Sequence, residues 1–183
     1  MNIKIILKKP LRVLLRIFFN SKYLSGRWFE KHSSGYLWAA RTIWQRSILR
    51  IERPAPWPIG LTCKVSNYKN ISFDPDDLNN FQSPGTYFQN FNGHIYIGKG
   101  TYIAPNVGII TSNHILSNLD QHDVGRDVRI GKKCWVGMNS IILPGVELGE
   151  STIVAAGSVV TRSFTEGNIL IGGSPAKEIK KLS

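Results

Sequence analysis

Three of the four histidines, His94, His114 and His122, fall in the second half of the 183 residues. Imidazole titrates near neutrality, so it is the side chain best suited to take up and return a proton at working pH. His114 ends the segment TSNH, and the loop QHDVGRD that follows carries His122 and Asp123. By itself that spacing allows a loop histidine bonded only to backbone, and solvated loop residues beside it. Asn90, in YFQNFN, carries an amide that both donates and accepts, which suits a hydroxyl-rich ligand or a turn. Trp135 offers an aromatic face that can stack on a sugar or simply pack. Cys63 and Cys134 lie far apart with no CxxC pairing and neither has a sequence argument for being a nucleophile; Cys134, at a small-residue position of the repeat, reads as a packed thiol in a reducing compartment. No GxSxG elbow presents a nucleophilic serine.

The residues around His114 are positioned by a repeat. From Ile97 to Thr165 an aliphatic residue leads each hexapeptide, at Ile97, Ile103 and Ile109, then at Ile130, Val136, Ile142, Leu148, Val154 and Val160. A small residue follows in six of these nine units: Gly98, Ala104, Gly131, Gly137, Gly149 and Ala155. A period of six predicts a parallel β-helix, three hexapeptides to a triangular coil, with the leading aliphatics stacked inward. A β-sandwich would show period two instead. The step from Ile109 to Ile130 overshoots one whole coil by half a hexapeptide, which predicts a loop between His114 and Asp127. Loops projecting from rigid scaffolds are where function tends to sit.

Charge divides the chain. Residues 1–53 hold twelve Lys and Arg against Glu30 and Glu52, so they carry ten of the eleven net positive charges. The reading is a basic amphipathic extension over 1–53, joined through Pro54, Pro56 and Pro58 to a near-neutral solenoid domain over 54–183. Lys8, Lys9, Arg12 and Arg16 interrupt the apolar residues of the first twenty, which excludes a spanning helix or a signal core. Such a stretch suits an anionic membrane surface, or helices packed on the solenoid's end or on a neighbouring subunit with their charges solvated. No nucleic-acid motif accompanies the charge, so nucleic acid is not an expected partner. Ile71–Phe73 and His94–Ile97 read as strands, and FDPDDLNNFQSPG as a turn-rich wrap over one end of the core or a reach toward a partner chain. Gly172, Gly173 and Pro175 break the repeat, and Lys177–Lys181 reads as a short basic helix.

The runs FNGHIYIGKGTYIAPNVGIITSNH, VRIGKKCWVGMNSIILPGVELGESTIVAAGSVVT and ILIGGSPAKEI resemble the hexapeptide-repeat O-acetyltransferases. That group includes galactoside and maltose acetyltransferases and polysaccharide-modifying enzymes of bacterial envelope clusters. The resemblance covers about residues 87–180 and is specific as a set: APNV before the histidine, IGxxxWVG after the loop, AAGSVVT in place of GAGSVVT, and the GxPAK ending. It implies a left-handed β-helix, acetyl-CoA as acyl donor with no metal required, a sugar or glycan hydroxyl as acceptor, and a homotrimer with sites between subunits.

His114 matches the family's catalytic histidine and is the implied general base, in direct transfer without an acyl-enzyme. Asn90 matches a sugar-binding asparagine. Phe88 stands where galactoside enzymes have tyrosine, which removes one polar contact. Trp135 matches a tryptophan near the cleft, while His122 and Asp123 would line the acceptor pocket or stand solvated. Ala104, Met138, Ala156 and Thr161 match the pantetheine groove, Arg162 and Lys177 would face phosphates, and the Gly137 or Met138 amide would face the developing oxyanion. Met138 is larger than the residue expected there, and Lys177 replaces an arginine of some relatives. Other readings stay open. The γ-class carbonic anhydrases use this solenoid with three histidines, here His94, His114 and His122. The acceptor could instead be an amine, or the trimer a non-catalytic scaffold. The expected location is cytoplasmic, with peripheral contact to the inner face of the membrane through residues 1–20 bearing on a lipid-linked acceptor.

Overall fold

The computed structural model describes residues 3–182 and divides into two compact units, Met1–Leu61 and Thr62–Ser183. The second unit is a three-sided solenoid of parallel sheets. The first sheet stacks Lys64–Val65, Tyr87–Gln89, Gly108–Ile110, Ile141–Ile142 and Val159–Val160. The second stacks Ile71–Ser72, Ile95–Ile97, Val128–Ile130 and Glu147–Leu148. The third stacks Tyr102–Ile103, Trp135–Val136, Ile153–Val154 and Ile169–Gly173. The chain visits them in that order on every coil.

The hexapeptide period fixes the register. Ile97 pairs with Ile130 and Ile130 with Leu148; Ile103 with Val136 and Val136 with Val154; Ile109 with Ile142 and Ile142 with Val160. All nine leading aliphatics are buried, so three inward ladders share one core. Each step along a ladder excludes water from another branched side chain, the dominant favourable term in folding. Cys134 and Cys63 are buried as packed thiols, and the Cys134 S–H donates to the Gly149 carbonyl at 3.2 Å. Burial raises the Cys134 pKa.

Two expectations are corrected. The loop is longer than a half-hexapeptide overshoot of one coil. Ile142 meets Val160 after one plain coil of three hexapeptides. Its partner on the other side is Ile109, and the chain between those two makes a coil plus an excursion worth two and a half hexapeptides. The overshoot looked small because the excursion takes the place of whole hexapeptides in the count from Ile109 to Ile130. Lys177–Lys181 is not helical either: Ala176–Lys181 is a strand, antiparallel to Ile169–Gly173 at the edge of the third sheet. The Gly172–Pro175 turn reverses the chain there, with Gly173 at φ 102°. The segment Pro75–Gln82 stands in for a strand of the third sheet. Its buried Asn80 accepts from Ile103 N at 2.9 Å and donates to Thr101 O at 2.9 Å, pairing the edge as backbone would.

The first unit is helical. It comprises Ile3–Leu15, Arg27–Glu30 and Ser34–Thr42, the last running into a π-helical turn over Ile43–Ile48. Leu24, Phe29, Ala39, Trp57 and Ile59 form its core. Trp57 meets Tyr23 at 5.0 Å between ring centroids, and Thr42 Oγ1 both accepts from Ile59 N and donates to Ile59 O at 2.9 Å. The proline-rich segment after Arg53 thus packs with the helices.

Candidate active site

His114 opens a two-stranded excursion in which His114–Ile115 pairs antiparallel with Asn118–His122. The excursion leaves the solenoid at the corner between the first and second sheets, and the backbone before it is pinned from inside. Buried Gln89 accepts from Thr111 N at 3.0 Å and Ser112 N at 3.1 Å, and its Nε2 donates to Ser112 O at 2.8 Å. Ser112 Oγ donates to Asp123 O at 2.8 Å, and Asp123 N to Asn113 O at 2.8 Å, closing the base of the hairpin. At its exit Gly125 lies so close to Asn92 that a Cβ there would collide with the Asn92 carbonyl.

The ring of His114 is oriented by a carbonyl. Nδ1 lies 2.7 Å from Leu119 O. A carbonyl can only accept, so Nδ1 carries a proton, and in the neutral ring it is Nε2 that presents the lone pair. His122, paired in register with His114, stacks on it with centroids 4.3 Å apart at 36°. Phe91 meets His122 edge-on at 4.8 Å. An open cleft of about 660 Å³ is lined by Asn113, His114, Ile115, Leu116, Ser117 and Asp123. The arrangement offers an exposed base of fixed tautomer beside space for a ligand.

The structure brings His114, His122 and Asp123 together but not the other acceptor candidates. Asn90 is fully buried, which corrects its reading as a sugar ligand. Its Oδ1 accepts from Asn67 N at 2.8 Å, and its Nδ2 donates to Asn67 O at 2.8 Å and Asn70 O at 2.9 Å, so the amide locks the 67–70 turn. Phe88 is equally buried, in register with Ile109 and 5.1 Å from the Phe81 ring. It fills core and meets no acceptor. Trp135 is half-exposed on the outer side of the third sheet, between Tyr102 and Ile153.

The cofactor candidates also separate. Met138 and Ala156 stack at the corner between the third and first sheets, where Asn139 N donates to Pro105 O and Gly157 N to Met138 O. Pro105, not Ala104, therefore continues their row; Ala104 stacks under Gly137 and Ala155. The Gly137 N–H is committed to Val154 O at 2.9 Å, which corrects it as an oxyanion donor. Among the described residues the Met138 and Ala156 N–H groups take no part in these bonds. Lys177 pairs with Gly172 near the same corner. Thr161 and Arg162 turn the next corner, between the first and second sheets, with Arg162 5.1 Å from the Phe164 ring. One chain does not bring Arg162 and Lys177 onto one edge.

His94 has a different environment. Its Nε2 lies 2.8 Å from Ser72 Oγ, its ring is 4.3 Å from Tyr96, and burial lowers its pKa against the opposing pull of Asp127. Within one chain His94 keeps to Ser72 and Tyr96, while His114 and His122 pair with each other. Leu119, Phe91 and Gln89 were not singled out from sequence. A carbonyl carries no sequence signal, although Gln89 stands out as an amide directly before Asn90 on a strand.

Residues 127–162 match the family described as bacterial transferase hexapeptide (six repeats). A chloramphenicol acetyltransferase of Morganella morganii is 40% identical over 65 residues, 36% of this chain and 30% of that protein. The galactoside O-acetyltransferase of Escherichia coli K12 is 28% identical over 110 residues, 53% of this chain and 52% of that protein. The crystal structure of a maltose O-acetyltransferase from Clostridium difficile 630 superposes with a TM-score of 0.50 at 34% identity, covering 54% of this chain and 53% of that one. The chain spans about half the length of the curated relatives it matches first. The solenoid thus carries the hexapeptide transferase repeat, and the resemblance read from its motifs holds in sequence and in fold.

Proposed function

We propose that this chain is an acetyl-CoA-dependent O-acetyltransferase with a left-handed solenoid, acting on a hydroxyl of a sugar or envelope polysaccharide precursor. The observation that carries the reading is His114: a ring tethered through Nδ1 to Leu119 O and facing an open cleft, on a repeat shared with acetyltransferases. Nε2 takes the acceptor's hydroxyl proton as that oxygen attacks the thioester carbonyl carbon. The C–S bond breaks, and the proton passes from Nε2 to the departing thiolate. Donation from Nδ1 to a carbonyl supports the imidazolium that forms between these events. His122 packs against the ring and holds its plane.

The acyl donor is assigned to a corner of the solenoid. Met138 and Ala156 stack there with small neighbours in Ala104, Gly137 and Ala155, and the Met138 N–H takes the oxyanion role. Such donors contribute about 3 kcal/mol each where charge develops. Lys177 serves phosphate groups from that corner, Thr161 and Arg162 from the next, so a complete groove combines the edges of two copies in a homotrimer. Trp135 then faces the cleft of a neighbouring copy.

The test is thioester cleavage by the purified full chain with acetyl-CoA and a panel of hydroxyl and amino acceptors. Sugar-dependent thiol release should appear, and His114→Ala should lower it by about 10²–10⁴-fold. Undiminished transfer by that variant, or no cleavage with any acceptor, would overturn the proposal.

A further inference from the structure

The helical unit carries an open apolar trough with no counterpart in the transfer chemistry. Leu11, Leu14, Leu15 and Phe18 line one wall, and Tyr36, Ala40, Ile43, Trp44 and Ile48 the other, around a volume of about 330 Å³. The spacing in both walls is that of one helical face, so two apolar helical stripes lie side by side. Leu15 is buried at the floor, but the rims stand open: Leu14 is 55% exposed, Trp44 56% and Ile48 59%, and Ile17 beside them is 73% exposed. A contiguous exposed apolar surface of this kind marks an interaction site.

Charge specifies the occupant. Residues 1–53 hold twelve Lys and Arg against two Glu. Among the described residues Lys9, Arg16, Arg41 and Arg50 have no ion pair, and all four are exposed. Lys8 lies 5.9 Å from the ring of Tyr36 at the trough wall. No described helix is long and apolar enough to cross a membrane. Apolar side chains flanked by unpaired cations on short helices match the chemistry of an anionic bilayer surface, with aliphatic and aromatic groups among acyl chains and cations at lipid phosphates. A protein partner would have to supply an equally acidic rim around an apolar ridge.

We infer that the two walls of this trough, residues 11–18 and 36–51, dock the protein in the plane of an anionic phospholipid surface. Trp44 and Phe18 enter the acyl boundary, while Arg16, Arg41 and Arg50 meet headgroup phosphates. The surface therefore has two walls, and Trp44 and Ile48 belong to it as much as the first twenty residues do. The inference stands on this unit alone and holds whichever acceptor the solenoid uses.

Co-sedimentation of the full chain with vesicles tests it, comparing phosphatidylcholine alone with phosphatidylcholine containing about a third phosphatidylglycerol. Binding should be restricted to the anionic vesicles and should weaken as salt rises. Trp44→Glu, a wall residue far in sequence from residues 1–20, should lower binding by at least about tenfold, and so should Arg16→Glu combined with Arg41→Glu. Both variants should keep the helical circular dichroism and the thioester cleavage with soluble sugars, which separates this inference from the catalytic proposal. Equal binding to neutral vesicles, or wild-type binding by Trp44→Glu, would overturn it. So would closure of the trough by a second copy, seen as a wild-type particle larger than that of Trp44→Glu.

Discussion

A single hydrogen bond decides what His114 can do. Had Nδ1 faced solvent, the ring would exchange tautomers and a base at Nε2 would be present only part of the time; the Leu119 carbonyl at 2.7 Å removes that freedom. The sequence made His114 legible through its motif, but the orienting carbonyl belongs to a backbone turn that no residue type announces. Asn90 shows the opposite failure. Its residue type and place in YFQNFN fit a sugar ligand, yet three hydrogen bonds to residues 67–70 take up the amide inside the fold. Truncating it strands the N–H and carbonyl groups it satisfies, each costing about 1–3 kcal/mol when buried. Asn90→Ala should therefore lower unfolding free energy by about 2–4 kcal/mol in urea titrations. In the folded fraction the KM for the acceptor should not move; a raised KM with unchanged stability would restore Asn90 as a ligand.

At the scale of elements, period six proved the dependable signal because each coil side repeats one local problem: bury an aliphatic, then turn. Every leading residue from Ile97 to Val160 fell into register with an equivalent in a neighbouring coil. What the period could not describe were segments that leave it. Pro75–Gln82 reads as loop because its pairing is done by the Asn80 side chain. Lys177–Lys181 reads as a basic helix because its partner strand, Ile169–Gly173, is set by a tertiary turn and not by alternation. The ladder also makes a graded prediction. Ile142 is fully buried between Ile109 and Val160, so Ile142→Ala should destabilise the solenoid by about 2–5 kcal/mol. Leu116, 95% exposed on the hairpin, should tolerate alanine within about 0.5 kcal/mol. Thermal or urea unfolding of the two variants measures the contrast, and equal losses would mean that the hairpin carries load in the solenoid.

For the solenoid as a whole, the outward-facing rows decide how copies meet. On the second sheet the row is Ser72, Tyr96, Arg129 and Glu147, and Arg129 reaches Asp127 at 3.1 Å and Glu147 at 3.6 Å while stacking over Tyr96. Its charges pair among themselves, so that side can face water. The first sheet presents Tyr87, Gly108, Ile141 and Val159 after a charged Lys64 at its first strand, and the third Tyr102, Trp135, Ile153 and Leu170 before Lys180 on its edge strand; between those ends neither row carries a charge. Two different apolar sides of one prism cannot both be covered by a single two-fold contact. In the homotrimer proposed above, a head-to-tail contact joining the first side of one copy to the third side of the next would cover both, with three copies closing the ring. Ile153→Glu puts a charge into the centre of the third row without touching the core ladder. Light scattering should then report one chain per particle in place of three, and transfer activity should fall with the assembly while the β-rich circular dichroism is retained. A wild-type chain that is monomeric and active, or an Ile153→Glu protein that stays trimeric, would show that these apolar sides serve some other contact.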